Sequence, residues 1–215
     1  MSIGALFDLD GVVIDSESVY TDCWNAIEKR FPTGIDNFAL KIKGSTLPKI
    51  LETYFPDKYI QEEIKKILTD YEANMRYIPF NEAIRFIGEL NAAGVRCAIV
   101  TSSSQKKMDN LYKQNPGFRE LFAAVITGDM VTHSKPNPEP YLIGAKAIGT
   151  DITDCFVFED SLSGIQSGMA SGATTIALAT TLPFDEINGK AHKTIHDFTG
   201  FHLSDILAAK MLNKP

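Results

Sequence analysis

At 215 residues, 44% of them hydrophobic, the chain is long enough to bury a full core as one large domain or two smaller ones. A formal charge of −6 leaves no basic footprint, so nucleic acid is not expected as a partner and an anionic substrate would need a local cation. Cys23, Cys97 and Cys155 are widely spaced with no C-x-x-C pair, and no apolar run reaches membrane-spanning length. A reducing cytoplasm is the expected compartment, with neither membrane nor obligate protein partner expected.

The first predicted element is a buried strand at residues 3–7, which runs directly into Asp8-Leu9-Asp10-Gly11. Two carboxylates about 4 Å apart repel by roughly 4 kcal/mol at the effective dielectric of a protein surface, so something must offset that cost. A solvated turn whose aspartates cap backbone N–H groups is the alternative. A calcium loop is excluded, because its glycine belongs at the sixth position and Gly11 falls at the fourth. Residues 16–78 show helical periodicity at 19–31, 47–55 and 59–77 and no strand pattern, which predicts a helical insertion. Within it, residues 41–46 are the expected loop facing the site, with Lys43 and Gly44 as substrate-contact candidates. Gly44 as a plain helix end is the alternative there.

Further strands predicted at 95–100, 123–126, 155–158 and 174–178 alternate with helix-like stretches. This is the pattern of an α/β doubly wound parallel sheet with helices on both faces, whose ligands bind outside the carboxyl ends of the strands. Thr101 and Ser102 close the 95–100 strand, where a hydroxyl and the N–H groups of a helix start suit an anion. Ser103 or Ser104 as a simple N-cap of the helix from Gln105 is the bland reading. Lys135 stands in the proline-stiffened stretch 134–141, before a helix expected to take Asn137 as cap and Pro138 as its first residue. Glu159 and Asp160 end the next strand, and Gly164 and Gly168 would let the following helix pack close. Four carboxylates, one lysine and one hydroxyl at strand ends make sense around a cation, and hard oxygen donors of this kind favour Mg²⁺.

In order and spacing, Asp8-Leu9-Asp10-Gly11, Thr101-Ser102, Lys135 with its proline-rich continuation, and Glu159-Asp160 resemble the four motifs of the haloacid dehalogenase (HAD) superfamily. The resemblance covers nearly the whole chain, and the insertion is similar to the small cap of the β-phosphoglucomutase-like and phosphoglycolate phosphatase-like branch. It implies a Rossmann-like HAD core of residues 1–15 and 79–215 with a helical cap at 16–78, hinged near 14–16 and 77–81. It also implies an Mg²⁺-dependent phosphatase acting on a small phosphorylated metabolite. Asp8 would attack phosphorus and become an aspartyl-phosphate. Asp10 would serve as general acid and then base, its proton favoured by the neighbouring carboxylate. Thr101 and Lys135 would hold phosphoryl oxygens, and Ser102 would contact substrate. The Mg²⁺ ligands would be Asp8, the backbone carbonyl of Asp10, Asp160 and, directly or through water, Glu159.

The same resemblance separates chemistries. Family dehalogenases lack an acid at the position of Asp10, so dehalogenation is not expected, and phosphonate cleavage would need a cap lysine for which Lys43 is the candidate. The resembling mutases carry a cap arginine and a histidine where Leu47 and Tyr20 stand here. That favours hydrolysis, with β-phosphoglucomutase as runner-up and Lys49 as a substitute cation. Inorganic pyrophosphatase and a non-catalytic binding module on the same fold are the remaining alternatives.

Overall fold

The computed structural model describes residues 3–212. Strand β1 (Gly4–Phe7) leads to a two-residue strand β2 (Ile14–Asp15), then to helices α1 (Glu17–Arg30), α2 (Phe38–Lys41), α3 (Leu47–Tyr54) and α4 (Lys58–Asn74). The chain returns through β3 (Ile78–Pro79), which pairs antiparallel with β2. Alternating elements follow: α5 (Asn81–Ala92), β4 (Arg96–Val100), α6 (Gln105–Gln114), β5 (Ala124–Ile126), α7 (Glu139–Ala147) and β6 (Cys155–Glu159). The chain continues through α8 (Leu162–Ser171), β7 (Thr174–Leu178), α9 (Phe184–Ile187), β8 (Lys193–Ile195) and α10 (Leu203–Leu212). Six strands make one parallel sheet in the order β5-β4-β1-β6-β7-β8.

Strand periodicity divides the core between the two faces of this sheet. Ala5 and Phe7 of β1 point to one side, where they meet Phe86 and Ile87 of α5 and Met108 and Leu111 of α6. Leu6 points to the other, with Ala98 and Val100 of β4 against Tyr141 and Ala145 of α7. Phe7 and Phe158 stack across neighbouring strands with centroids 4.6 Å apart. Register then sets the site: Phe7 lies opposite Ile99 on β4 and Phe158 on β6, so these three strands end together.

Helices α1 to α4 enclose a separate apolar cluster that includes Trp24, Phe38, Phe55, Ile64 and Leu68. Phe38 stands at its centre, edge-on to Trp24, Tyr54 and Phe55 at 5.9, 5.2 and 5.8 Å. The entry to and exit from this helical unit are tied together by the β2–β3 pair and by the Phe80 N–H, which donates to Val13 O at 2.9 Å.

Several elements depart from the sequence reading. Helix α2, at four residues, is too short to show a helical period. Strand β8 begins on a lysine and is half-buried throughout, so it lacks the apolar run of its neighbours. Helix α7 starts at Glu139 with Pro138 as its cap residue, one position later than expected. Asn137 still caps by side chain, its Oδ1 accepting from the Glu139 N–H at 2.9 Å. No described helix is long and apolar enough to cross a membrane.

Candidate active site

Asp8 emerges from β1 between the ends of β4 and β6, almost buried at 7% exposure. Its Oδ1 accepts from Lys135 Nζ at 2.5 Å. The same ammonium donates to Val100 O at 3.0 Å and Glu159 Oε1 at 2.7 Å, so all three of its hydrogens are used. Glu159 in turn receives five donors: Lys135 and the Tyr141 hydroxyl (2.8 Å) on Oε1, and the N–H groups of Asp160 and Ser161 with the Ser161 hydroxyl on Oε2. Helix α8 can close over this carboxylate only because Gly164 has no side chain, since a Cβ there would overlap both Glu159 oxygens. Burial pushes Asp8 up to about 7; the Lys135 charge works against that rise, while Glu159 and Asp10 add to it. For Lys135 burial opposes the charge, but Asp8 and Glu159 outweigh it and hold the ammonium above the ordinary lysine range.

Asp10 has a different set of partners, and they reverse one expectation. Ser16 donates to its Oδ1, Lys107 Nζ lies 2.5 Å from the same oxygen, and the Ser103 hydroxyl donates to Oδ2 at 2.8 Å. Burial alone would raise its pKa, yet the Lys107 charge and these three donors bring it below the ordinary aspartate value. The neighbouring carboxylate was expected to favour a proton on Asp10; the raised member of the pair is Asp8. Lys107 is what sequence reasoning missed. Its one signal was a lysine in the first turn of a helix, where the macrodipole disfavours a cation.

Thr101 is buried at the end of β4, and its Oγ1 accepts from the Ser103 N–H at 3.0 Å. Ser104, rather than Ser103, is the N-cap of α6. Ser102 donates its hydroxyl to Gly44 O at 2.8 Å, and Ser163 donates to Lys43 O at 2.9 Å. The loop before α3 is thereby pinned to the sheet edge. Gly44 fits this position through its left-handed backbone, φ +75°, and because a Cβ would run into the Ser161 and Ser163 hydroxyls. Lys43 lines the cavity beside Asp8 and Asp10. Burial lowers its pKa while Asp160 and Asp10 pull it back up.

Asp160 completes the acidic group. It is 2% exposed, its Oδ2 makes no hydrogen bond, and burial followed by the charges of Glu159 and Asp8 raises its pKa well above the aspartate value. Asp8, Glu159 and Asp160 each offer an oxygen within 4.8 Å of the others. An orphaned buried carboxylate oxygen beside two more carboxylates fits a hard divalent cation such as Mg²⁺. Asp8 and Asp160 would hold it. Glu159, already bound by five donors, would reach it through water or by giving some of them up.

The family model for haloacid dehalogenase-like hydrolases matches residues 5–178. The chain belongs to that family. It is 29% identical over 184 residues to the bifunctional riboflavin kinase/FMN phosphatase of Arabidopsis thaliana, across 83% of this chain but only 48% of that protein. The chain thus spans about half the length of that relative. It is 25% identical over 182 residues to fructose-1-phosphate phosphatase YqaB of Escherichia coli K12, covering 80% of this chain and 94% of that one. A provisionally named β-phosphoglucomutase of Bacteroides vulgatus superposes with a TM-score of 0.81 at 26% identity, covering 98% of this chain and 90% of that one. The HAD sheet order explains why residues so far apart in sequence share one edge: β4 and β6 flank β1, so Thr101, Asp8 and Glu159 leave the sheet side by side.

Proposed function

We propose that this HAD chain is a phosphatase that hydrolyses a small phosphorylated metabolite through an aspartyl-phosphate on Asp8. The observation that carries this reading is that Asp8 and Asp10 line one cavity of about 340 Å³, each paired with its own lysine. A pure binding module has no need of a buried nucleophile beside a second, separately held carboxylate.

In the first step an Asp8 oxygen bonds to phosphorus as the bond from phosphorus to the ester oxygen breaks, and Asp10, ionised before substrate enters, passes to that leaving oxygen a proton it takes up as the phosphate dianion binds beside it. In the second, water attacks phosphorus, its proton returns to Asp10, and the bond to Asp8 breaks. Lys135 keeps Asp8 aimed from β1, and the Thr101 hydroxyl would hold a phosphoryl oxygen. With all four carboxylates ionised, they and the two lysines bound to them leave two formal negative charges in the site. Asp8 and Asp160 would hold Mg²⁺, which would supply the matching positive charge and polarise the phosphoryl group.

The cavity continues upward between the helices of the insertion, walled by Trp24, Ile42, Leu47, Ile50 and Leu68. That is where the body of the substrate would rest. The test is phosphate release with Mg²⁺ from a panel of fructose 1-phosphate, glycerol 1-phosphate, FMN, pyrophosphate and p-nitrophenyl phosphate. Steady turnover of at least one monoester, abolished by excess chelator, is expected; binding without turnover across the panel would contradict the reading.

A mutase is the second reading, favoured by the Bacteroides vulgatus likeness and by Lys43 and Lys65 on the cavity wall. Against it, Tyr20 spends its hydroxyl on Glu72 at 2.7 Å. Lys49 lines a neighbouring cleft, where its Nζ donates to Lys135 O at 3.4 Å, so it does not replace a cap arginine in this cavity. Rapid-quench analysis with β-glucose 1-phosphate separates the two: free phosphate is expected, and glucose 6-phosphate formed faster than phosphate would promote the mutase.

A further inference from the structure

Lys107 is 2% exposed and belongs to none of the four motif segments. A fully buried lysine is rare unless paired. This one also stands in the first turn of α6, where Ser104 caps its backbone N–H at 3.3 Å and where the helix macrodipole opposes a positive charge. Two unfavourable terms are therefore accepted at one residue. Its Nζ contacts account for them. One is Asp10 Oδ1 at 2.5 Å, and the other is the Tyr20 ring, whose centroid lies 4.2 Å away. Tyr20 is in turn fixed by its hydroxyl on Glu72, so the ammonium is clamped between the sheet edge and the helical insertion. Met108 and Leu111, buried on the same helix, fix α6 against the core and with it the backbone from which the lysine side chain starts.

We infer that Lys107 is a positioning residue for Asp10, holding the carboxylate in the orientation from which it serves the leaving oxygen, with the insertion seated against it through Tyr20. The inference rests on the phosphatase reading above. Lys107 exchanges no proton in the cycle: the proton given to the leaving oxygen and regained from water passes through Asp10 alone. The Ser103 and Ser16 hydroxyls add directional contacts, but Lys107 is the only partner of Asp10 among the described residues that is both charged and anchored in a helix.

A residue that acts through the acid should matter most where an acid is needed. The experiment compares kcat/KM of wild type, Lys107→Met and Lys107→Gln on p-nitrophenyl phosphate, whose leaving group departs without much help, and on whichever of fructose 1-phosphate and glycerol 1-phosphate turns over faster. Circular dichroism establishes that each variant is folded. The expected result is a loss of about 30-fold or more on the alkyl ester, a part of the roughly 100- to 10,000-fold that acid–base catalysis contributes, and of less than about 5-fold on the aryl ester. Equal losses on both esters, no loss on either, or failure of both variants to fold would overturn the inference. Absence of wild-type turnover on every ester would remove the phosphatase reading and this inference with it, whereas wild-type turnover with equal losses removes the inference alone.

Discussion

Glu159 shows how much of a phosphoryl-transfer site is spent on a residue that need not touch the substrate. Its two oxygens organise Lys135, Tyr141 and the turn into α8, all buried. Replacing it by glutamine removes the charge facing Lys135 and turns an N–H₂ group toward donors. Glu159→Gln should therefore cost about 3–5 kcal/mol of stability in chemical denaturation, the usual result of breaking a buried ion pair. A cost under about 1 kcal/mol would show that Glu159 does not anchor the lysine. At this scale Asp8, Asp10, Thr101, Glu159 and Asp160 were legible in the sequence because each follows an apolar strand and a parallel sheet gathers strand ends on one edge, and Lys135 was legible from its proline-stiffened stretch. Lys107, Ser103 and Ser16 were not. They reach Asp10 from a helix and from the start of the insertion, and that approach is decided by tertiary packing rather than by any local pattern. Missing them hid what holds Asp10 below the ordinary aspartate value.

The loop of residues 41–46 marks the meeting of two units that each have their own apolar cluster. The contacts that join it to the sheet edge are polar: Ser102 on Gly44 O and Ser163 on Lys43 O. Ser102 was expected to bind substrate, and its hydroxyl instead holds this loop. Gly44→Val would impose a strained left-handed backbone, worth about 1–3 kcal/mol, and a clash with Ser163 on a loop that lines the cavity. We expect KM to rise about tenfold or more and the melting temperature to fall by roughly 2–12 °C, as measured by steady-state kinetics and calorimetry. An unchanged KM would mean that closure of this loop does not shape the binding site. Helices α1, α3 and α4 were readable from their periodicity, and the insertion was readable as helical. Helix α2 and the β2–β3 pair were not, because four and two residues carry too little pattern.

Across the whole molecule, the sheet concentrates negative charge at one edge and the fold retains it there. Asp8 and Asp160 have raised pKa values because burial penalises their charged forms. A raised carboxylate pKa means that the folded, metal-free protein binds protons more tightly than the unfolded chain between about pH 4 and 7, so these groups withdraw stability as pH rises through that window. A divalent cation needs the same carboxylates deprotonated. The rise in melting temperature produced by millimolar Mg²⁺ should accordingly be larger at pH 8 than at pH 5, and equal shifts at the two pH values would take Asp8 and Asp160 out of the metal site. The doubly wound architecture followed from alternation of apolar strands and helical stretches, and five of the six sheet strands were placed to within a residue or so. The sixth, β8, stayed hidden because an edge strand needs little hydrophobicity.

The central claim is that Asp8 becomes phosphorylated during turnover. Acid quenching of the wild-type enzyme within milliseconds of mixing with Mg²⁺ and a radiolabelled substrate from the panel should trap label on the protein, released by hydroxylamine and located on the peptide containing Asp8. Asp8→Asn should fold normally, trap no label and retain less than about one per cent of wild-type turnover, since loss of a covalent nucleophile costs orders of magnitude. Label on another residue, or substantial turnover by Asp8→Asn, would contradict the account.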